Sequence, residues 1–241
     1  MNKVHLIIQP KGGIGKSYAA SLLAQHQKAF CSDLLIIDID QENPTLSQYK
    51  SLEVQRISVM GEGRAIDPKL FDQLIIKIVE HPSDVIIDTG ANIFSSFMAY
   101  AIENSVFDII KGHDRELVIH TIIGGGDTLY DTANGFADIA QHVDGNIVLW
   151  LNEHFGKLQS SNGVEIENAR VITENKDKLI GMIRMKDRTR ATFGRDINKM
   201  TTARMTFAEV DASDNFDFME KNRLGIVRKG IFDQLDLLVT R

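Results

Sequence analysis

Eight residues, Pro10-Lys11-Gly12-Gly13-Ile14-Gly15-Lys16-Ser17, restrict the fold of this chain more than any other stretch. They follow an apolar run, Val4-His5-Leu6-Ile7-Ile8, and precede an Ala- and Leu-rich run from Tyr18 to Ala29 that reads as a helix. In a strand–loop–helix context, the glycines let the backbone turn successive N–H groups inward, beneath the partial positive charge of the helix N-terminus. A polyphosphate fits there. Lys11, Gly12, Gly13, Ile14, Gly15, Lys16, Ser17 and Tyr18 form the expected nucleotide-binding stretch, with Lys16 neutralising the β and γ phosphates and the Ser17 hydroxyl holding Mg²⁺. Two residues depart from the general pattern G-x-x-x-x-G-K-S/T. Pro10 occupies the place of its first glycine, which fixes φ and removes a donor. Tyr18 stands where a second hydroxyl is common, leaving only its backbone N–H for the α phosphate.

Further along, the runs Leu34–Asp40, Val85–Gly90, Leu117–Ile123, Gly145–Leu151 and Leu179–Met185 read as strands, most of them apolar enough to be buried on both faces. Glu53–Val59 reads as a weaker, edge strand. Helices are expected from Asp67-Pro68 to Glu80, with an aspartate N-cap and an N1 proline, and from an Asp127 or Thr128 cap to His142. Phe216–Val239 is expected to be largely helical. Strands alternating with helices imply an α/β fold with a doubly wound, mainly parallel sheet flanked by helices, in a single P-loop domain spanning 1–241.

Carboxylates close two of the buried strands. Asp88, at the end of an apolar strand after a phosphate loop, has the placement of the aspartate that holds a water on Mg²⁺; the alternative is an N-cap for the helix after Gly90. Asp38 and Asp40 flank Ile39, so an extended strand would turn both to one face. Near bound Mg²⁺, one would serve the metal and the other the attacking water. Asn152 follows Trp150-Leu151 at a strand end, where its amide either contacts a base or serves a turn. Asn152 is followed by Glu153-His154-Phe155, so an Asn-Lys-x-Asp guanine signature is missing and ATP is favoured over GTP.

Lys-Gly-Gly-Ile-Gly-Lys-Ser resembles the deviant phosphate loop of the ParA/MinD class of ATPases. The resemblance extends along most of the chain to the TraL-type, ParA-like proteins of conjugative plasmid transfer regions. It is carried by Leu6–Gly13, Asp84–Asp88, Glu116–Thr121, Val148–Asn152 and Phe193-Gly194-Arg195-Asp196. It implies a dimer formed on ATP, with Lys11 reaching the partner's nucleotide, Asp40 carrying hydrolysis and Asn152 reading adenine. It also implies a slow, partner-stimulated ATPase, a role in transfer, positioning or partition, and other plasmid transfer or partition proteins as partners. The chain departs from the class by placing Gln41 directly after Asp40 and by lacking prolines after Asp88. Two other readings stay open: a phosphoryl-transferring enzyme resembling dethiobiotin synthetase, and a nucleotide-dependent scaffold that does not hydrolyse.

A net charge of −6 disfavours a whole-surface nucleic-acid binder. Seven cations against two aspartates between Arg184 and Arg204 are nevertheless either a solvated face or a local site for nucleic acid or an acidic protein, and the resemblance to ParA implies non-specific contact with DNA. The lone Cys31 cannot form an internal disulfide, and it excludes cluster-bearing relatives that need several cysteine ligands. The histidines lack metal-binding spacing. No apolar stretch reaches the ~18 residues of a membrane span, and no signal peptide is visible, so a cytoplasmic location is expected. Leu224, Val227, Ile231, Leu235 and Leu238 recur at helical spacing and are expected to pack into the core.

Overall fold

A computed structural model describes residues 1–62 and 65–239. In chain order the main elements are β1 (Asn2–Ile7), α1 (Lys16–Gln27), β2 (Leu35–Asp38), β3 (Gln55–Arg56), α2 (Leu70–Glu80) and β4 (Val85–Asp88). They continue with α3 (Phe94–Glu103), α4 (Val106–Gly112), β5 (Arg115–Gly124), α5 (Leu129–His142), β6 (Ile147–Asn152) and α6 (Arg170–Thr173). The last are β7 (Leu179–Met185), α7 (Arg195–Thr202), α8 (Phe207–Ala212) and α9 (Phe218–Val239). Among the described residues the strands form one seven-stranded sheet in the order β3-β2-β4-β1-β5-β6-β7, and every neighbouring pair is parallel.

The period-two alternation of the buried strands divides the core between two faces. Val4, Leu6, Leu35, Ile37, Val85 and Ile87 pack with side chains of α2, α3, α4 and α5. Ile7, Ile36, Ile86, Val148 and Trp150 pack with side chains of α1, α7, α8 and α9. Leu224, Val227, Ile231 and Leu235 of α9 are buried in that second cluster and Leu238 packs against it, as their spacing predicts. Among the described residues no single helix is long and apolar enough to cross a membrane.

Several boundaries differ from the sequence expectation. Strand β2 stops at Asp38, and β3 is a two-residue edge strand. Helix α2 is regular only from Leu70, although the Asp67 carboxylate does accept the Lys69 N–H in the turn before it. Neither Asp127 nor Thr128 caps α5 with its side chain; a 3-10 turn leads in, and the Thr128 hydroxyl instead donates to the Gly125 carbonyl. The sequence reading named a helix after Gly90, which is α3, without bounds, and passed over α4, α6, α7 and α8; α8 carries a start signal all the same, the capping box of Thr206 with Glu209.

The second face also holds a buried polar chain. Indole Nε1–H of Trp150 donates to His120 Nδ1 at 3.0 Å, and His120 Nε2 lies 2.9 Å from His5 Nδ1. An indole can only donate, so the proton of His120 sits on Nε2 and that of His5 on its own Nε2. Burial keeps both rings neutral, lowering His5 to about 3 and His120 well below its ordinary value.

On the first face Phe71 is fully buried, with ring centroids 5.4 Å from Phe97 and 5.2 Å from Tyr100. Phe71→Ala is expected to cost about 3–5 kcal/mol. For a chain of this size that lowers Tm by roughly 10 °C, measurable by thermal unfolding. An unchanged Tm would contradict the packing described for that face.

Candidate functional site

At the carboxyl end of central strand β1 the chain enters the glycine loop, and its φ is positive at Gly13 (68°) and Gly15 (103°). Side chains rarely adopt those values, so these two positions need glycine for conformation. Gly15 precedes α1 with no side-chain cap, which leaves first-turn amides facing the loop. Lys16 is buried, and its Nζ donates to the Lys11 carbonyl at 3.0 Å, bridging the loop across its own mouth. Burial lowers its pKa, while Asp88 and Asp40 oppose that shift.

Helix α5 anchors the start of the loop. Gln9, fully buried, donates from Nε2 to the Thr121 hydroxyl and to the carbonyls of Ile122 and Thr132, at 3.2, 2.8 and 3.2 Å. A Cβ on Gly135 of α5 would fall 2.0 Å from Gln9 Oε1 and 2.8 Å from Pro10 Cγ. The proline that replaces the motif's first glycine is therefore seated against a glycine on the helix. Lys11 Nζ pairs with Asp131 Oδ2 of α5 at 2.7 Å, with both side chains substantially exposed.

The three aspartates occupy different environments. Asp88, at the end of β4 beside β1, is completely buried, and neither carboxylate oxygen has a hydrogen-bond partner. Burial pushes its pKa up to about 8; the Ser17 hydroxyl and Lys16 pull it down, and Asp38 and Asp40 add to the rise. The next residue, Thr89, donates its hydroxyl to the Ile7 carbonyl at 2.9 Å, tying the ends of β4 and β1 together. Asp38 is also buried, but its carboxylate is occupied: Oδ1 accepts Asp40 N–H at 3.0 Å and Oδ2 accepts Ser47 N–H at 2.9 Å. Asp40 lies beyond the strand end, so strand alternation does not apply to it. It lines the phosphate cleft with Lys16 and Ser17, while Asp38 fastens the 40–47 loop behind it.

That cleft, about 480 Å³, is closed on its far side by Ala91 and Asn92. Asn92 was missed by the sequence reading: it stands two residues after Gly90, beyond Ala91, where no motif marks it. Gly13, Gly15 and Tyr18 also line a second, mostly apolar cavity of about 720 Å³, which has Asn152 and Ile197 on its walls. The Asn152 amide is engaged at both ends, donating to the Ile14 carbonyl at 3.0 Å and accepting His154 N–H at 3.1 Å. It joins β6 to the loop.

The basic run does not form one face. Arg184 pairs with Glu153 and Glu167. Lys199 pairs with Glu220 and lies over the Phe216 ring, and Arg204 bonds Gln48 and the Thr201 carbonyl. Lys186, Arg188 and Arg190 line the larger cavity, with the Arg188 guanidinium 5.0 Å from the Phe193 ring centroid. Among the described residues no three His, Cys, Asp or Glu side chains group as a metal site. A hard cation here would depend on phosphate oxygens and the Ser17 hydroxyl, with Asp88 as the waiting carboxylate. Its two partnerless oxygens fit that role.

No protein-family model matches the chain. Two curated proteins do, each described as Protein TraL from Escherichia coli: one is 37% identical over 238 residues and the other 36% over 238, with 98% of this chain and 98% of each relative covered. Among solved structures, the MinC:MinD cell division protein complex of Aquifex aeolicus matches with a TM-score of 0.60 at 15% identity, covering 99% of this chain and 96% of that one. A ParA family ATPase from Chlorobium tepidum TLS matches with a TM-score of 0.54 at 16% identity, covering 95% and 97%. At such identities these structures establish the fold alone, a doubly wound parallel sheet flanked by helices.

The raised pKa of Asp88 fixes the sign of a pH effect. Below an unfolded carboxylate's ~3.9 both states are protonated; above it the unfolded chain ionises while the folded one holds its proton until about 8. Burial of this group therefore costs stability increasingly as pH rises between those values. Asp88→Asn is expected to raise the Tm of the nucleotide-free protein more at pH 8 than at pH 5, by thermal unfolding across buffers. An equal effect at both pH values would refute the assignment.

Proposed function

The chain belongs to the TraL family, and from that premise we propose that it is a ParA-like, Mg-ATP-binding and hydrolysing switch that dimerises on ATP and acts in plasmid conjugative transfer, positioning or partition. One observation carries the reading: a glycine loop at a helix N-terminus holds the buried Lys16 near enough to the buried, partnerless carboxylate of Asp88 for each to shift the other's pKa. Neither charge is neutralised within the protein by a direct ion pair among the described residues. A magnesium polyphosphate supplies both complements, anionic oxygens for Lys16 and a cation for Asp88.

In this proposal Gly12, Gly13, Ile14, Gly15 and Tyr18 present backbone to the phosphates, and Lys16 holds the β and γ groups. Ser17 and Asp88 hold Mg²⁺, Ser17 directly and Asp88 through water. When bound, the metal draws charge from the phosphate oxygens. Asp40 orients the attacking water, and Asp38 serves by fixing the loop that carries Asp40. The base lies in the larger cavity beside Tyr18. There Asn152 has one amide hydrogen and one lone-pair site left for it.

Lys11 has two alternatives open to it, Asp131 of its own chain or the γ phosphate held by a second copy. A contact that only ATP can make would shift the equilibrium towards a two-fold dimer, and hydrolysis would release it. Contact with DNA or an acidic protein through 184–204 falls to Lys186, Arg188, Arg190 and Arg195, the cations of the run with neither an ion pair nor a side-chain hydrogen bond among the described residues. Further partners would be other plasmid transfer or partition proteins.

Calorimetry with Mg-ATP and light scattering with ADP or a non-hydrolysable ATP analogue test the reading. Lys16→Ala is expected to weaken Mg-ATP binding about 10- to 100-fold, the worth of a charged hydrogen bond. Wild type is expected to double in mass with the analogue but not with ADP, and Lys11→Ala to bind nucleotide yet stay monomeric. Unchanged affinity in Lys16→Ala would refute the phosphate site. A wild-type mass that ignores nucleotide would refute the switch.

A further inference from the structure

Gly90 has an ordinary backbone conformation, with φ −73° and ψ 153°, so its conformation does not demand glycine. Space demands it. A Cβ there would fall 2.5 Å from Asn92 Oδ1, 2.8 Å from Asp40 Cγ and 2.8 Å from Asp40 Oδ1. Two polar side chains from separate loops thus converge over one glycine, and their oxygens are no farther apart than the sum of those distances. Both also line the phosphate cleft, together with Lys16 and Ser17.

The Asp40 carboxylate is oriented from behind. Its Oδ1 accepts Glu42 N–H at 3.0 Å and Asn43 N–H at 2.9 Å, which leaves Oδ2 without a hydrogen bond among the described residues. The Asn92 amide is likewise without one, although it offers both donors and an acceptor. A solvated asparagine at a helix start usually caps the helix, yet the 3-10 turn at Ala91–Ile93 has no side-chain cap. Its amide is left to the cleft.

We propose that Asn92 is a positioning residue, paired with Asp40 across Gly90, that holds the water attacking the γ phosphate. This inference rests on the hydrolysing reading given above. Asp40 Oδ2 accepts a hydrogen bond from the water, and the Asn92 amide fixes its second direction. The water oxygen bonds to the γ phosphorus as that phosphorus loses its bond to the β–γ bridging oxygen. ADP leaves with that oxygen and the bonding electron pair, and the water's proton ends on inorganic phosphate. Asn92 contributes orientation without taking the proton.

The test measures single-turnover phosphate release at saturating Mg-ATP beside the Kd for a non-hydrolysable Mg-ATP analogue. Asn92→Ala is expected to slow release about 10- to 100-fold with Kd changed less than about threefold, because misplacing a reacting water acts on the transition state. Asn92→Asp, which keeps the shape and loses the donor, is expected to be as slow. Gly90→Ala is expected to slow release by separating the pair. The double variant Asp40→Ala with Asn92→Ala should be little slower than Asp40→Ala alone, since the two act on one water. Wild-type release in Asn92→Ala or Gly90→Ala, a parallel loss of rate and affinity, or multiplying effects in the double variant would each overturn the proposal. Wild type that binds Mg-ATP without turning it over overturns this inference and leaves nucleotide binding standing; wild type that does not bind it overturns the proposed function as well.

Discussion

Lys16 and Asp88 are taken out of water close to one another without forming an ion pair, and much of the surrounding architecture follows from that. Burying a carboxylate with no partner costs more than an exposed ion pair returns, so folding alone does not favour the arrangement. The rest of the sheet must hold it in place. Asp88 sits where β4 meets β1 on one side and β2 on the other, and the Thr89 hydroxyl locks the first junction. Two apolar clusters, one on each face, supply the stability that the site itself does not.

The loop above that carboxylate is held just as firmly from the other side. Gln9, Pro10 and Lys11 all meet α5, through an amide that reaches the Thr132 carbonyl as well as Thr121 and Ile122 of β5, a proline ring seated on Gly135, and an ion pair with Asp131. A proline without a donor is tolerated at the motif's first glycine because the position is given over to packing. The amides needed by an anion lie further on, where Gly13 and Gly15 turn the backbone. Loop and helix α5 are one mechanical piece, so a change in the partner of Lys11 is felt directly at α5.

Much of this was legible in the sequence, and the reasons are local. The glycine loop, the paired apolar strands and Asp88 were readable because each depends on a few consecutive residues in a fixed order. What the sequence did not reveal depends on where a strand ends or on what lies across the sheet. Asp38 and Asp40 look equivalent by alternation, but β2 stops between them, leaving one to fasten a loop and the other to face the cleft. Asn152 reads as a base contact or a turn residue, and the structure shows its amide joining the end of β6 to the glycine loop. The basic run looks like one patch because charge is counted along the chain, whereas Glu153, Glu167 and Glu220, far away in sequence, neutralise Arg184 and Lys199. Asn92 had no motif of its own and became visible only through the crowding at Gly90.

The buried chain from Trp150 to His5 gives the protein an optical property of its own. Trp150 is the only tryptophan in the sequence, has no exposure to solvent, and hydrogen-bonds a neutral imidazole. Its fluorescence therefore arises from one known environment, on the strand next to the β7 edge of the sheet. Two residues further along the same strand, Asn152 grips the Ile14 carbonyl of the loop. The indole is thus a native fluorophore rigidly linked to the phosphate cradle, and a displacement of that cradle along β6 reaches the emitting ring with no label attached.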